Sequence, residues 1–197
     1  IDFILAERAI TLTTVGSGTV NTSQLVDGAV TSAKLDSGLG LGKIGQVLST
    51  TKTDTSEISS STFVDVSGLS VTITPTSSSS KIYINCNITL NHYETNQTVV
   101  FRFVRGSTGV GVGASAGSRL QASAATATVG GGDHPQTVSA QFLDTPSTTS
   151  STTYKIQIAS ESGGQTFVNR NNNNDSDNSD PKHSRYASTI TVMEVLA

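Results

Sequence analysis

From residue 62 to residue 105 the chain alternates apolar and polar side chains. In Lys81-Ile-Tyr-Ile-Asn-Cys-Asn-Ile-Thr-Leu90 the apolar set is Ile82, Ile84, Cys86, Ile88 and Leu90. Lys81, Tyr83, Asn85, Asn87 and Thr89 fall between them, and strand side chains point to opposite faces with period two, so this is a half-buried antiparallel strand. Leu69-Ser-Val-Thr-Ile-Thr-Pro75 repeats the pattern, and Pro75 with the serines 77–80 supplies the turn between the two runs. A hairpin with one apolar face is not stable alone in water, so a second sheet must cover it.

The later chain supplies further strands. Short runs at 46–50, 62–66, 69–74, 81–92, 98–105, 119–128, 136–143, 154–160, 166–169 and 188–196 are separated by turn signals such as Ser67-Gly68, Gly130-Gly-Gly-Asp133 and Gly163-Gly164. No amphipathic helix interrupts them, so the expected fold is all-β, an antiparallel, jelly-roll-like β-sandwich over residues 46–197. Residues 1–45 read differently. Gly18-Thr-Val-Asn-Thr-Ser-Gln-Leu25 and Gly28-Ala-Val-Thr-Ser-Ala-Lys-Leu35 align at a spacing of ten residues. Each copy is too short and too poor in apolar residues to bury itself, which predicts an extended N-terminal stalk in which copies from several chains pack along an axis.

Composition sharpens this picture. Of 197 residues only 14% are charged, Trp is absent, and Ser, Thr and Gly abound, a balance that favours turn-rich strands over helices. The net charge of −3 provides no basic surface for nucleic acid and no polybasic cluster for a membrane, and no run of apolar residues is long enough for a membrane helix. The lone cysteine, Cys86, sits on an apolar strand face and reads as a small core residue. The opening Ile1-Asp-Phe-Ile-Leu-Ala lacks Met and a basic n-region, so the sequence is expected to be the distal part of a longer protein.

Candidate chemistry is sparse. Ser37-Gly-Leu-Gly-Leu-Gly-Lys-Ile-Gly45 fails as a phosphate loop, because Ser37 stands at the first Gly position and Ile44 where Ser or Thr must ligate magnesium; it reads as a glycine hinge. His92, His134 and His183 have no His or Cys partner at metal-ligand spacing. A hydrolase pair would have to come from Asp54, Glu57, Glu94, Asp133, Asp144 or Glu161, and nothing in the sequence selects two of them. The expectation is a protein that is not an enzyme and has no cofactor.

The most distinctive polar segment is 169–185, which holds Asn171, Asn173, Asp175, Asp177 and Asp180. Its acidic residues suggest a hard cation, but the Gly and closing Glu of a calcium loop are missing. Amides and carboxylates hydrogen-bond sugar hydroxyls, so this loop is the expected receptor contact, with Tyr93, Tyr186 and His92 as stacking faces. The glycine-rich stretch 106–132 is a second candidate surface. Val100 and Val104, alternating with core-facing Phe101 and Phe103, are expected between subunits.

Several phrases together resemble a family. Thr62-Phe-Val-Asp-Val-Ser-Gly-Leu-Ser-Val-Thr-Ile-Thr-Pro75, Phe101-Arg-Phe-Val-Arg-Gly-Ser107, Leu143-Asp-Thr-Pro-Ser147 with Thr153-Tyr-Lys-Ile-Gln157, Phe167-Val-Asn-Arg170 and Ser188-Thr-Ile-Thr-Val-Met-Glu-Val195 resemble the C-terminal head of tail-fibre-like proteins of tailed bacteriophages, marine and cyanophage examples above all. Val26-Asp-Gly-Ala-Val-Thr-Ser-Ala-Lys-Leu35 is similar to the shaft repeats that precede such heads. The resemblance implies a homotrimeric virion fibre, joined to other virion proteins through its N-terminal segment, whose head contacts a host-surface glycan or protein. It lends no catalytic residue. The alternatives are a capsid or tail decoration fibre that binds no receptor, and a glycan depolymerase.

Overall fold

The computed structural model describes residues 25–31, 34, 43–127, 133–174 and 179–197. The chain divides into two units, Ile1–Leu41 and Gly42–Ala197. In the first, the described part of the second repeat forms a turn: Ala29 N–H donates to Val26 O at 2.8 Å, and the Lys34 ammonium donates to Ala29 O at 2.8 Å. The first repeat copy up to Gln24 and most of the expected stalk and hinge lie outside the described residues.

The second unit is all-β. Its strands are β1 (Ile44–Lys52), β2 (Ser56–Ser59), β3 (Val64–Ile73), β4 (Lys81–His92), β5 (Thr98–Arg105), β6 (Thr108–Val110), β7 (Ala124–Ala127), β8 (Gln136–Asp144), β9 (Thr152–Ser160), β10 (Gln165–Val168) and β11 (Ser188–Val195). Three pairs of them are collinear. Val168 of β10 pairs with Leu90, Thr189 of β11 with Asn87, and Asn169 N–H donates to Thr89 O between them, so β10 and β11 run as one line along β4. In the same way β1 and β2 follow that line, while β6 and β7 follow β5.

Eight strand lines therefore build two four-line antiparallel sheets. Sheet A has the order β1/β2, β10/β11, β4, β8; sheet B has β3, β9, β5, β6/β7. Successive lines mostly cross from one sheet to the other, which is jelly-roll topology and matches the expected fold class. The two runs anticipated at 62–66 and 69–74 are a single strand, β3, interrupted by a bulge between Asp65 and Ser70 where Gly68 takes φ +79°.

The core forms where the two inner faces meet. Ile82, Ile84, Cys86, Ile88 and Leu90 of β4 interleave with Phe101, Phe103, Ile156 and Ile158 of sheet B, and the Phe101 and Phe103 rings meet edge to face with centroids 5.8 Å apart. Burial pushes the Cys86 thiol up to about 12, as its expected core position requires. Val104 corrects an expectation. It is 0% exposed within its own chain, so it offers no surface to another subunit, although Val100 beside it is only half-buried.

Glu194 also faces inward, at 0% exposure. Its carboxylate accepts from Thr76 N–H at 2.6 Å, Thr76 Oγ1 at 2.7 Å and Gln46 Nε2 at 2.7 Å, fastening the β3–β4 turn to the start of β1. Burial opposes its ionisation, but the donors from Thr76, Ser80 and Gln46 together hold the carboxyl below the usual glutamate range. The folded pKa thus lies below the unfolded one, so this stabilisation is present above the ordinary value of 4.5 and is lost as pH falls through the folded pKa. Asp65, held low by Lys155, acts in the same direction. Glu194→Gln is expected to lower stability at pH 7 by about 1–2 kcal/mol and to flatten the decline on the acid side. Urea midpoints recorded from neutral to acid pH check this; parallel curves for the two proteins would refute it.

A candidate contact site on the excursion between β10 and β11

Between Val168 and Ser188 the sheet-A line breaks, and the chain leaves the sheet and returns to it. The break is made at Asn169, which takes φ +61° and is 0% exposed. Asparagine tolerates this left-handed conformation better than other non-glycine residues. Its Nδ2 donates to Lys52 O at 2.8 Å and Asp54 O at 3.0 Å, across the matching break between β1 and β2. Its Oδ1 accepts from Ser188 Oγ at 2.6 Å, and its backbone carbonyl accepts from Tyr186 N–H at 3.1 Å. One side chain thus pins both ends of the excursion to the sheet.

The next residue folds the excursion onto the outer face. The Arg170 guanidinium lies 4.2 Å from the Phe167 ring centroid, pairs with Glu57 Oε2 at 3.3 Å and donates to Asn171 O at 2.9 Å. Burial draws the Arg170 pKa down while Glu57 opposes it. Beyond it, Asn171 Nδ2 bonds Lys182 O at 3.1 Å and His183 Nδ1 at 2.6 Å, and Asn171 Oδ1 accepts from Asn173 N–H at 3.1 Å. Asp180 accepts from Lys182 N–H at 3.1 Å and starts a short 3-10 turn, Pro181–His183. Arg185 donates to Asn174 Oδ1 at 2.6 Å.

The structure sorts the expected contact residues. Asn171 is 0% exposed and organises the loop from inside, which corrects its reading as a contact residue; Asn173 and Tyr186 are half-buried, and Asp180 is exposed. Asp175 and Asp177 lie outside the described residues. Tyr93 is 55% exposed and its N–H donates to Gln165 O at 2.9 Å, so it stands at the end of sheet A, while Tyr186 stands at the root of the excursion. His92 is no stacking face: it is 1% exposed, accepts from Glu94 N–H at 3.1 Å on Nδ1, and lies so close to Gly164 that a Cβ there would come within 2.6 Å of its ring. Sequence reasoning gave Asn169, Arg170 and Glu57 no part in anchoring the loop. Only the Asn-Arg pair at the end of an apolar strand hints at the first two, and Glu57 is joined to Arg170 by the fold alone.

Other chemistry is mostly occupied. Asp144 is bonded to Arg105 and Tyr154, Asp54 to Lys52, Glu57 to Arg170, and Glu161 to Thr98 N–H. Among the described residues no group of three His, Cys, Asp or Glu is placed to hold a metal ion. A concavity of about 290 Å³ opens on the outer face of sheet B. Val100, Ala159 and Leu120 line it, and Ser61, Glu161 and Ser162 stand around them.

No protein-family model and no curated protein matches the sequence. Among solved structures, the chain is similar to the infectious bursal disease virus Gx strain structure at 13% identity and a TM-score of 0.38, over 77% of this chain and 37% of that one. A T13 viral particle and T=1 particles of the same virus are similar at 14% identity and a TM-score of 0.38, over 77% of this chain and 36% of each of those. The chain spans little more than a third of the length of these neighbours.

Proposed function

We propose that this chain is the head of a homotrimeric virion fibre of a tailed bacteriophage, joined to the particle through its N-terminal segment, and that the excursion 170–187 contacts a glycan or protein on the host surface. The observation that carries this reading is the excursion itself: a polar loop fastened at its root by a buried asparagine and presented on the face of a rigid jelly roll. Loops positioned by a stiff scaffold are where binding concentrates. The phrases shared with phage fibre heads support the particle and the trimer. Three copies of a weak contact raise avidity by orders of magnitude with no additional interaction. The reading assigns the head no catalysis; Asp144, Asp54, Glu57 and Glu161 are bonded within the fold.

Purified chain added as a competitor is expected to slow adsorption of the virus that carries it. A variant with residues 171–186 replaced by a short Gly-Ser linker is expected to unfold cooperatively and to compete no longer. If the intact chain fails to compete at saturating concentration, the reading gives way to a decoration fibre without receptor binding. Release of reducing sugar from host polysaccharide would replace it with a depolymerase.

A further inference from the structure

Three connections meet over the part of sheet B that carries Val100 and Ala159. These two residues are cross-strand partners on the outer face and floor the concavity there. Leu120, 50% exposed, adds a third apolar side chain from the excursion 111–122. Glu161 and Ser162 come from the turn between β9 and β10, and Ser61 from the link between β2 and β3. The walls are fastened to the strands and to each other. Ser160 N–H donates to Ser60 O at 2.8 Å, Ser160 Oγ donates to Gly164 O at 2.8 Å, and Glu161 Oε2 accepts from Thr98 N–H at 3.1 Å. Within the turn Ser162 takes φ +55° and Gly163 φ +69°. Left-handed backbone at a serine is strained, and such strain persists where the surroundings over-determine it, ligand clamps among them.

We propose that this concavity binds one sugar unit bearing a methyl group, as a deoxyhexose or an N-acetylhexosamine does. The proposal is independent of the receptor contact at 170–187 and of the trimer. Size sets the first limit. At about 290 Å³ the concavity lies at the small end of ligand clefts, roughly 300–1,000 Å³, so it admits a single ring and not an extended chain. The floor sets the second. No aromatic ring lines it, so a pyranose face has nothing to stack on, whereas Val100, Ala159 and Leu120 offer an aliphatic seat for a methyl group.

The rim supplies the polar half of the match. A carboxylate accepts the hydrogen bond of a sugar hydroxyl, and the exposed Ser61 and Ser162 hydroxyls both donate and accept. Thr98 N–H orients the Glu161 carboxylate beforehand, so less side-chain freedom is lost on binding. A bare aliphatic ligand would leave these groups unused. An ammonium would meet one carboxylate exposed to solvent, where an ion pair adds little. A ligand with a methyl group on one side and hydroxyls on the other uses floor and rim together.

Saturation-transfer NMR on the full chain, with rhamnose, N-acetylglucosamine and glucose as probes, tests this. The first two are expected to receive saturation, strongest at their methyl protons, and glucose to receive little. Glu161→Gln keeps an acceptor for Thr98 N–H and is expected to weaken binding about tenfold, the advantage of a charged acceptor over a neutral one. Ser162→Gly removes a hydroxyl and the strain at once, so it is expected to weaken binding while raising the melting temperature. Equal saturation of glucose, or no transfer to any of the three sugars at millimolar concentration, would overturn the inference. Binding left unchanged by Glu161→Gln and Ser162→Gly, but abolished when residues 171–186 are replaced, would also overturn it and assign the sugar to the receptor loop.

Discussion

Asp144→Ala is expected to lower the stability of the head by about 3 kcal/mol, through two partners left behind at once. Asp144 is 5% exposed at the end of β8, and its Oδ2 accepts from Tyr154 OH at 2.7 Å and from Arg105 Nη1 at 2.7 Å. Tyr154 is 0% exposed, so without the carboxylate its hydroxyl has no acceptor and no access to water. Burial, the largest cause of the raised tyrosine pKa, persists in the variant, so the phenol left behind does not shed its proton instead. Arg105 keeps 30% side-chain exposure, so part of its loss is recovered from solvent and the estimate sits at the lower end of the range for a broken buried pair. About 3 kcal/mol corresponds to a fall in melting temperature of about 6–12 °C for a domain of this size. Tyr154→Phe removes a single bond and should cost about 1 kcal/mol, and adding it to Asp144→Ala should cost less than the sum because the orphaned hydroxyl is gone. Thermal melts of the three variants decide the matter; strict additivity would mean that the bond contributes nothing.

Asn169→Ala is expected to cost a similar amount, about 3 kcal/mol, but to show it first as local opening of the excursion. Alanine at φ +61° is strained, the carbonyls of Lys52 and Asp54 lose their donor, and Ser188 Oγ loses its acceptor. Ser188 Oγ in turn accepts from Thr89 N–H at 3.1 Å, so the damage reaches β4. Asn169→Gly relieves the strain and keeps the lost hydrogen bonds lost, and should recover about 1 kcal/mol of the deficit. Limited proteolysis is expected to cut Asn169→Ala within residues 170–187 before the strands unfold. Cutting that begins elsewhere, or an unchanged cleavage rate, would show that Asn169 is not the pin.

How much of this was legible in the sequence depended on how local each signal is. β4 and β5 were read with their observed bounds, because apolar alternation is written in consecutive residues. β2 was invisible: Ser-Glu-Ile-Ser has one apolar residue and becomes a strand only through its pairing with β10. β6 lay within the glycine-rich stretch 106–132 and was missed as a strand for the same reason. Val104 was assigned outward by correct parity, yet parity says which side of a sheet a residue takes and not whether its own chain covers that side. Glu194 shows the converse, since its parity with Ile190 and Val192 places it inward and three remote donors make that tolerable. The excursion stood out by composition, but its anchors could not. Arg170 and Glu57 are 113 residues apart, and Asn169 reaches Lys52 over 117.

The two excursions of the head share one construction. Residues 170–187 leave the sheet-A line at Asn169 and rejoin it at Ser188, and residues 111–122 leave the β6/β7 line at Gly111, also at φ +61°, and rejoin it at Ser123, whose N–H donates to Phe101 O at 2.8 Å. Each loop therefore begins and ends at neighbouring sites on the same strand line. For such a loop the entropy of closure grows only with the logarithm of its length, about 0.6 kcal/mol per doubling. Insertions and deletions between those fixed ends leave strand register and core untouched. The head is thus built so that its outward segments can change in length and sequence quickly while the jelly roll beneath them stays the same.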